Sequence, residues 1–145
     1  ADNAEEQRVE SYRKRGFMPV GLDVFVGKMA FHYPEQDGTP YRLDYEPILG
    51  RHVIDVDYPR RNKVDWNTMT ISGSVLNATS ETRHIGIAIT FFDESGNQVG
   101  HETVQIENAR SDVPYPFTSE IAMALDRPFS SSSTYVLYAD LAETE

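Results

Sequence analysis

The chain has 145 residues, no cysteine and a formal net charge of −10 at pH 7. This length suffices for one domain with its own core, and the lack of cysteine excludes disulfides, thiolate metal sites and a blue-copper centre. The acidic excess disfavours nucleic acid and anionic lipid as partners, and no run of about 18 apolar residues exists to span a membrane.

The first 16 residues predict a short helical arm. Residues 2–15 are polar helix formers, with acidic side chains in the first turn and basic ones in the last, as the helix dipole favours. Gly16 can end the helix in the left-handed conformation. Only Val9, Tyr12 and the following Phe17 offer this arm an apolar stripe, so it docks on a partner, docks on the rest of the chain, or frays.

The basic end of the arm is a candidate interaction site. Arg13, Lys14 and Arg15 follow Tyr12 directly. Because the chain is acidic overall, these cations could meet the body of a neighbouring copy, and opposite charges steer association. The arm is therefore a candidate connector between subunits.

Alternating apolar residues then predict extended structure. Residues 22–26 form one predicted strand, Gly27 marks a bulge or tight turn, and the alternation resumes at residues 29–33. Further strands are predicted at residues 41–45 and 52–58. The pattern leaves open whether these strands join the main sheet or form a small sheet of their own.

The clearest strand pattern lies between Met69 and Val99. Alternating apolar and polar residues from Met69 to Val75 and from Ile85 to Phe91 predict two half-buried strands. Further strands are predicted at residues 99–106, 117–125 and 135–141, with the serine run at 130–133 as a loop. Short strands separated by turns predict one all-β domain over residues 17–145, an antiparallel sandwich.

One motif in this region resembles the FxLYD-type domains. It consists of Gly73-x-Val75-x-Asn77-x-Thr79 followed by Phe92-Asp93-x-x-Gly96-x-x-Val99, and the resemblance covers residues 66–142. It implies an immunoglobulin-like sandwich of secreted and envelope-associated prokaryotic proteins, acting as a non-catalytic binding or assembly module.

Each motif residue has a structural interpretation. Gly73 suits a close approach of strands, Asn77 can hydrogen-bond a turn at a strand end, and Asp93 with Gly96 suits a hairpin. Asn77-Ala78-Thr79 is also a glycosylation sequon, for which we favour the turn role over a glycan.

Metal and calcium sites are alternatives that the spacing does not favour. The histidines show no ligand spacing, although a site could assemble in space with methionines. The loop from Asp93 to Asn97 carries oxygen ligands but lacks the regular calcium-loop pattern. The residues that could contribute to such sites are His32, His52, His84, His101, Met18, Met29, Met69, Met123, Asp55, Asp57 and Asp65. No cofactor is predicted.

Aromatic residues offer a further alternative. Trp66 and the tyrosines could form a platform for glycan or peptide, because aromatic rings with polar handles are favoured at interfaces. In a sandwich the same residues serve equally well in the core and at strand edges. The tyrosines concerned are Tyr33, Tyr41, Tyr45, Tyr58, Tyr115, Tyr135 and Tyr138.

The sequence favours interaction over catalysis. It contains no nucleophile elbow, zinc-protease motif or phosphate-binding loop, although a pair of carboxylates stays open as a hydrolase site. We expect a protein-binding or self-associating structural module, with a metal- or glycan-binding exported protein as the alternative. The chain begins at Ala1, so either a signal peptide was removed or the chain was trimmed. We expect an extracytoplasmic location.

Overall fold

A computed structural model describes residues 2–33, 41–46, 51–54, 67–122 and 129–142. In these ranges the chain forms one helix and nine strands. They are α1 (Asp2–Lys14), β1 (Phe17–Gly21), β2 (Val24–Tyr33), β3 (Tyr41–Glu46), β4 (Arg51–Ile54), β5 (Thr68–Asn77), β6 (Arg83–Phe92), β7 (Gln98–Ala109), β8 (Pro114–Ala122) and β9 (Ser131–Leu141).

The strands form two antiparallel sheets. Sheet A has six strands in the order β4-β3-β2-β5-β8, with β1 pairing the first half of β2, and sheet B has three in the order β7-β6-β9. The strands of residues 17–54 therefore extend the main sheet, which settles the point that the alternation left open. Residues 55–58 of the predicted strand at 52–58 lie outside the described residues.

The connections follow the pattern of an immunoglobulin sandwich. The chain crosses from sheet A to sheet B after β5, returns after β7 and crosses again after β8. The resulting β5–β8 and β6–β9 pairs correspond to the B–E and C–F pairs of that fold. The predicted class, an all-β antiparallel sandwich with a short N-terminal helix, is confirmed.

The core lies between the sheets and is apolar. Ile85, Ile87 and Ile89 of β6 are fully buried against the inner face of sheet A. The Phe31 ring from sheet A meets the Phe91 ring from sheet B edge-on, with 5.7 Å between their centroids. Edge-on pairs of this kind add to the stabilisation from apolar burial.

A bulge at Gly27 changes which residues of β2 face the core. The β2–β5 register shifts between Gly27 and Ala30. Val26 points into the core before the shift, and Met29 does so after it. Of the two sequence interpretations of Gly27, the bulge is therefore the one observed.

The prediction of one strand across residues 22–26 is wrong. Leu22 and Asp23 form a two-residue turn between β1 and β2, and both have positive φ, 51° and 57°. This is the geometry of a type I′ hairpin, which usually contains Asn or Gly. The turn was missed because a leucine in an alternating pattern normally indicates a strand.

The prediction of a loop over the serine run is also wrong for most of that run. Ser131, Ser132 and Ser133 lie in β9, paired with the end of β6. Thr90 in β6 donates from Oγ1 to the Ser133 carbonyl oxygen, 3.3 Å away. Strand pairing uses backbone groups, so a neighbouring strand can extend through residues whose side chains suggest a loop.

Candidate functional site

Helix α1 docks on its own sandwich. Its Val9 and Tyr12 pack on Phe17, Phe25 and Leu76, a buried cluster on the outer face of sheet A. The Tyr12 and Phe25 ring centroids are 4.4 Å apart. The sequence left three arrangements of the arm open, and the structure shows the one in which the arm docks on the rest of the chain.

The predicted basic site is partly occupied by contacts within the chain. The Arg15 guanidinium lies 5.3 Å from the centre of the Tyr12 ring and 3.7 Å from Asp112 Oδ1. Arg13 is half-buried, and its Nε has no hydrogen-bond partner among the described residues. Lys14 is exposed. Contact of this basic end with a neighbouring copy stays a prediction.

Arg8 anchors the helix, and the sequence analysis missed it. Its Nη2 donates to the Ala78 carbonyl oxygen at 2.8 Å, and its Nη1 lies 3.1 Å from Asp23 Oδ1. Burial lowers the pKa of Arg8, but the hydrogen bond and charge of Asp23, together with the charges of Glu5 and Tyr12, raise it overall. The spacing of Arg8 and Tyr12, one helical turn apart, was the available signal.

Asn77 is a fully buried hydrogen-bonding centre at the end of β5. Its Nδ2 donates to the Glu81 and Ala109 carbonyl oxygens at 2.7 and 2.8 Å. Its Oδ1 accepts from the Thr79 backbone N and from Thr79 Oγ1 at 2.9 and 2.6 Å. Both ends of the amide are thus satisfied, and a sugar on Nδ2 would displace these bonds. The geometry supports the turn role over the glycan.

The surroundings of Asn77 join four parts of the fold, and we call them the Asn77 junction. Asp112 N donates to the Asn77 carbonyl oxygen at 2.7 Å, and Ala78 N donates to the Asp23 carbonyl oxygen at 2.8 Å. Tyr12 donates from its hydroxyl to Asp112 Oδ1 at 3.0 Å. Burial, followed by this hydrogen bond, raises the pKa of Tyr12. The junction therefore ties α1 and the β1–β2 turn to the ends of β5 and β7.

The other residues of the resemblance motif also serve the fold. Val75 is fully buried, and a Cβ on Gly73 would lie 2.9 Å from Phe117 Cζ. Asp93 Oδ1 accepts from Ser95 N and Asn97 N, each at 2.9 Å. These hydrogen bonds, that of Asn97 first, lower the pKa of Asp93. The turn is completed by Gly96, whose φ is +84°.

The geometry of the described residues gives little support to a metal site or a glycan site. In the part of the chain that the structure describes, no three His, Cys, Asp or Glu residues are grouped as metal ligands would be. His84 lies beside a carboxylate instead, with its Nδ1 2.6 Å from Glu107 Oε2. Trp66 and the candidate calcium ligands Asp55, Asp57 and Asp65 lie outside the described residues.

The surface that the sequence analysis missed is the β9 edge. In the described sheets β9 pairs only with β6, so its other edge has no strand partner. Its side chains Tyr135, Leu137 and Leu141 are 44%, 49% and 58% exposed. The available signal was the scarcity of charge in β9, which contains Asp140 as its one charged residue.

A cleft runs along the inner side of β9. Its volume is about 210 Å³, and its walls are Met18, Val20 and Met29 of sheet A and Ser132 and Thr134 of β9. On the opposite side of the sandwich the sheets are bridged by a hydrogen bond from Ser119 Oγ to Glu102 Oε2. Among the described residues, the two sheets are thus bridged beside β7 and β8 and separated by the cleft beside β9.

Comparisons with family models, with curated proteins and with solved structures gave no match. Among the described residues, no helix is long and apolar enough to cross a membrane.

Proposed function

We propose that this chain is a non-catalytic interaction module, an FxLYD-type sandwich that acts as a subunit or accessory of a larger extracytoplasmic assembly. The observation that carries the proposal is the β9 edge, a strand with one charged residue and three exposed hydrophobic side chains that has no strand partner in the described sheets and adjoins a cleft. Such an edge favours addition of a strand from another chain.

The chemistry of the motif supports the non-catalytic, sandwich-forming part of the proposal. The polar groups of Asn77 and Asp93 are engaged by backbone donors and acceptors, so these side chains stabilise turns. The Tyr115 hydroxyl accepts a hydrogen bond from Arg110 N at 3.0 Å, across the connection between β7 and β8. A tyrosine that bonds back to an upstream segment in this manner is a feature of immunoglobulin-like sandwiches.

The extracytoplasmic location rests on the resemblance of residues 66–142 to domains of secreted and envelope proteins. Fractionation of the source cells, with immunodetection of the chain, tests this part of the proposal. We expect the chain in the envelope or the medium. Recovery in the cytoplasmic fraction alone would contradict it.

The interaction role is tested by the size of the native protein in gently prepared extracts. The isolated chain has a mass of 16.4 kDa. We expect the endogenous protein to sediment as a larger species and to release the free chain when denatured and diluted. A pool that sediments entirely as the monomer, in extracts where a known complex stays intact, would contradict the proposal.

A further inference from the structure

We propose that two copies of this chain join through β9, with their strands pairing antiparallel about a two-fold axis near Val136. This inference rests on the proposed function and names the partner of the β9 edge. A two-fold axis through an edge strand gives the same contacts to both copies and joins two sheets B into one continuous sheet.

Strand β4, one edge of sheet A, is only four residues long and begins at Arg51, and three other edge strands carry features that discourage such pairing. Strand β7 contains Glu102 and Glu107, and β8 contains Pro114 and Pro116. Strand β1 contains Pro19. Charges and prolines are the usual means by which sheet edges avoid joining other sheets. By contrast, β9 has no proline and a single charged residue among its 11 positions.

The exposed apolar surface is concentrated on the same strand. Five large hydrophobic side chains are exposed among the described residues, namely Leu22, Val113, Tyr135, Leu137 and Leu141, and three of these lie in β9. A bulge at Leu137 interrupts the β6–β9 register. A bulge can blunt an edge, but here it leaves an apolar side chain half exposed.

The strand is complementary to itself when inverted. With the axis near Val136, Tyr135 of one copy lies beside Leu137 of the second copy, and the same contact repeats on the other side of the axis. An aromatic ring beside an aliphatic side chain is a favourable cross-strand pair. Asp140 falls beside the serines at the start of the other β9, so the two strands bring no like charges together.

The cleft gives the second strand a place to pack. Strand β1 contacts β9 across the sandwich, and its Met18 and Val20 line the cleft together with Thr134 of β9. A strand added to β9 would cover Met18 and Val20, which are now half-buried at the cleft wall. Covering this apolar surface adds a hydrophobic contribution to the backbone pairing.

The net charge of −10 on each copy works against association over long range. Salt screens this repulsion, whereas the β9 contacts themselves are uncharged. We therefore expect the dimer to become tighter as the salt concentration rises. A contact made by the basic end of α1 with an acidic body would weaken instead.

The test is sedimentation equilibrium of the purified full chain from about 1 μM to about 100 μM, the range in which weak dimers dissociate. We expect a monomer–dimer equilibrium that Leu137→Lys weakens at least tenfold. Gln105→Lys is the matched control, since it places the same charge at an exposed position of the opposite edge strand. Circular dichroism establishes that each variant is folded, and Tyr135→Lys replaces Leu137→Lys if that variant unfolds.

Cross-linking tests the geometry directly, because the chain has no cysteine of its own. When chains carrying Tyr135→Cys are mixed with chains carrying Leu137→Cys, mild oxidation should give a disulfide-linked mixed dimer, because these two positions lie opposite each other across the axis, whereas Gln105→Cys should give no cross-linked dimer. A dimer that tolerates both lysine variants of β9, without the cross-link, would overturn β9 as the interface. A wild-type chain that stays monomeric throughout would overturn the two-copy inference, while a large native complex in cell extracts would still support the proposed function.

Discussion

At the scale of single residues, Asn77 stands out because its side chain is fully buried and makes four hydrogen bonds. Its amide joins β5 to the backbone of β7 and to the connection that leads into β6. The sequence motif located this residue and its turn role. The partner at Ala109, 32 positions away, depends on how the two sheets pack, which local pattern does not encode.

Asn77→Ala should lower the free energy of unfolding by about 1–3 kcal/mol, because it removes the side-chain donor to the buried Ala109 carbonyl oxygen. Asn97→Ala, an exposed asparagine in the following turn, should change it by less than about 0.5 kcal/mol. Urea denaturation of both variants and the wild type gives the comparison. Equal small effects would show that the Asn77 hydrogen bonds do not stabilise the fold.

The lowered pKa of Asp93 leads to a prediction about the stability of the protein in acid. Because its folded pKa is lowered below the ordinary value of 3.8, its contribution is present above that pH and is lost as the pH falls through the folded pKa. Carbon-detected titration of the Asp93 carboxyl by NMR should give a midpoint below 3.8. Asp93→Asn should show a shallower loss of stability in acid than the wild type. Identical slopes would contradict the assignment.

At the scale of elements, the β1–β2 turn is held in its conformation by surrounding contacts. Leucine at φ 51° is strained, since a Cβ disfavours the left-handed region. Asp23 is fixed by Arg8 and by Ala78 N. Sequence pattern could not reveal this turn because tertiary contacts, and not local preference, decide it.

Leu22→Asn should therefore stabilise the protein by about 0.5–1 kcal/mol, because asparagine tolerates positive φ. Leu22→Val should destabilise it, since β-branched residues tolerate that region least. Thermal unfolding of the pair, at the same protein concentration, separates the backbone effect from the loss of an exposed leucine. Destabilisation by both substitutions would contradict the turn assignment.

The docking of α1 predicts that the hydroxyl and the ring of Tyr12 each contribute separately to the free energy of unfolding. Tyr12→Phe removes the hydrogen bond to Asp112 and should lower the free energy of unfolding by about 0.5–1.5 kcal/mol. Tyr12→Ala also removes the ring that packs on Phe25 and should lower it by about 2–3 kcal/mol. Lys14→Ala, at an exposed position of the same helix, is the control and should have little effect. Equal effects of the two Tyr12 variants would indicate that the ring does not pack.

At the scale of the whole molecule, β5 and β6 are interior strands of the two sheets. In the described sheets each has a paired strand on both sides, as β2 does in sheet A, whereas β9 pairs with β6 alone. Alternation of apolar residues identified β5, β6 and the sandwich class, because every second side chain of a half-buried strand faces the core. It did not identify the docking of α1 or the open edge of β9, because those depend on which surfaces meet.

This arrangement predicts an order of amide protection. Amides of β5 and β6 should exchange with solvent most slowly, through global unfolding, and outward-facing amides of β9 should exchange fastest among the long strands. Hydrogen exchange followed by mass spectrometry measures this order at low protein concentration. If β9 pairs with a second copy, its protection should rise with concentration while that of β5 stays constant. Slower exchange in β1 than in β5 would contradict the sheet order.

The burial of Asn77 has a consequence for producing the protein. Asn77-Ala78-Thr79 satisfies the acceptor rule for N-linked sugar, yet in the folded chain the amide nitrogen is enclosed. A eukaryotic secretory host that glycosylates the growing chain before β5 meets β7 would produce a form that cannot close the Asn77 junction. A bacterial host avoids this competition, and because the chain has no cysteine to oxidise, the bacterial cytoplasm is a suitable compartment for its expression.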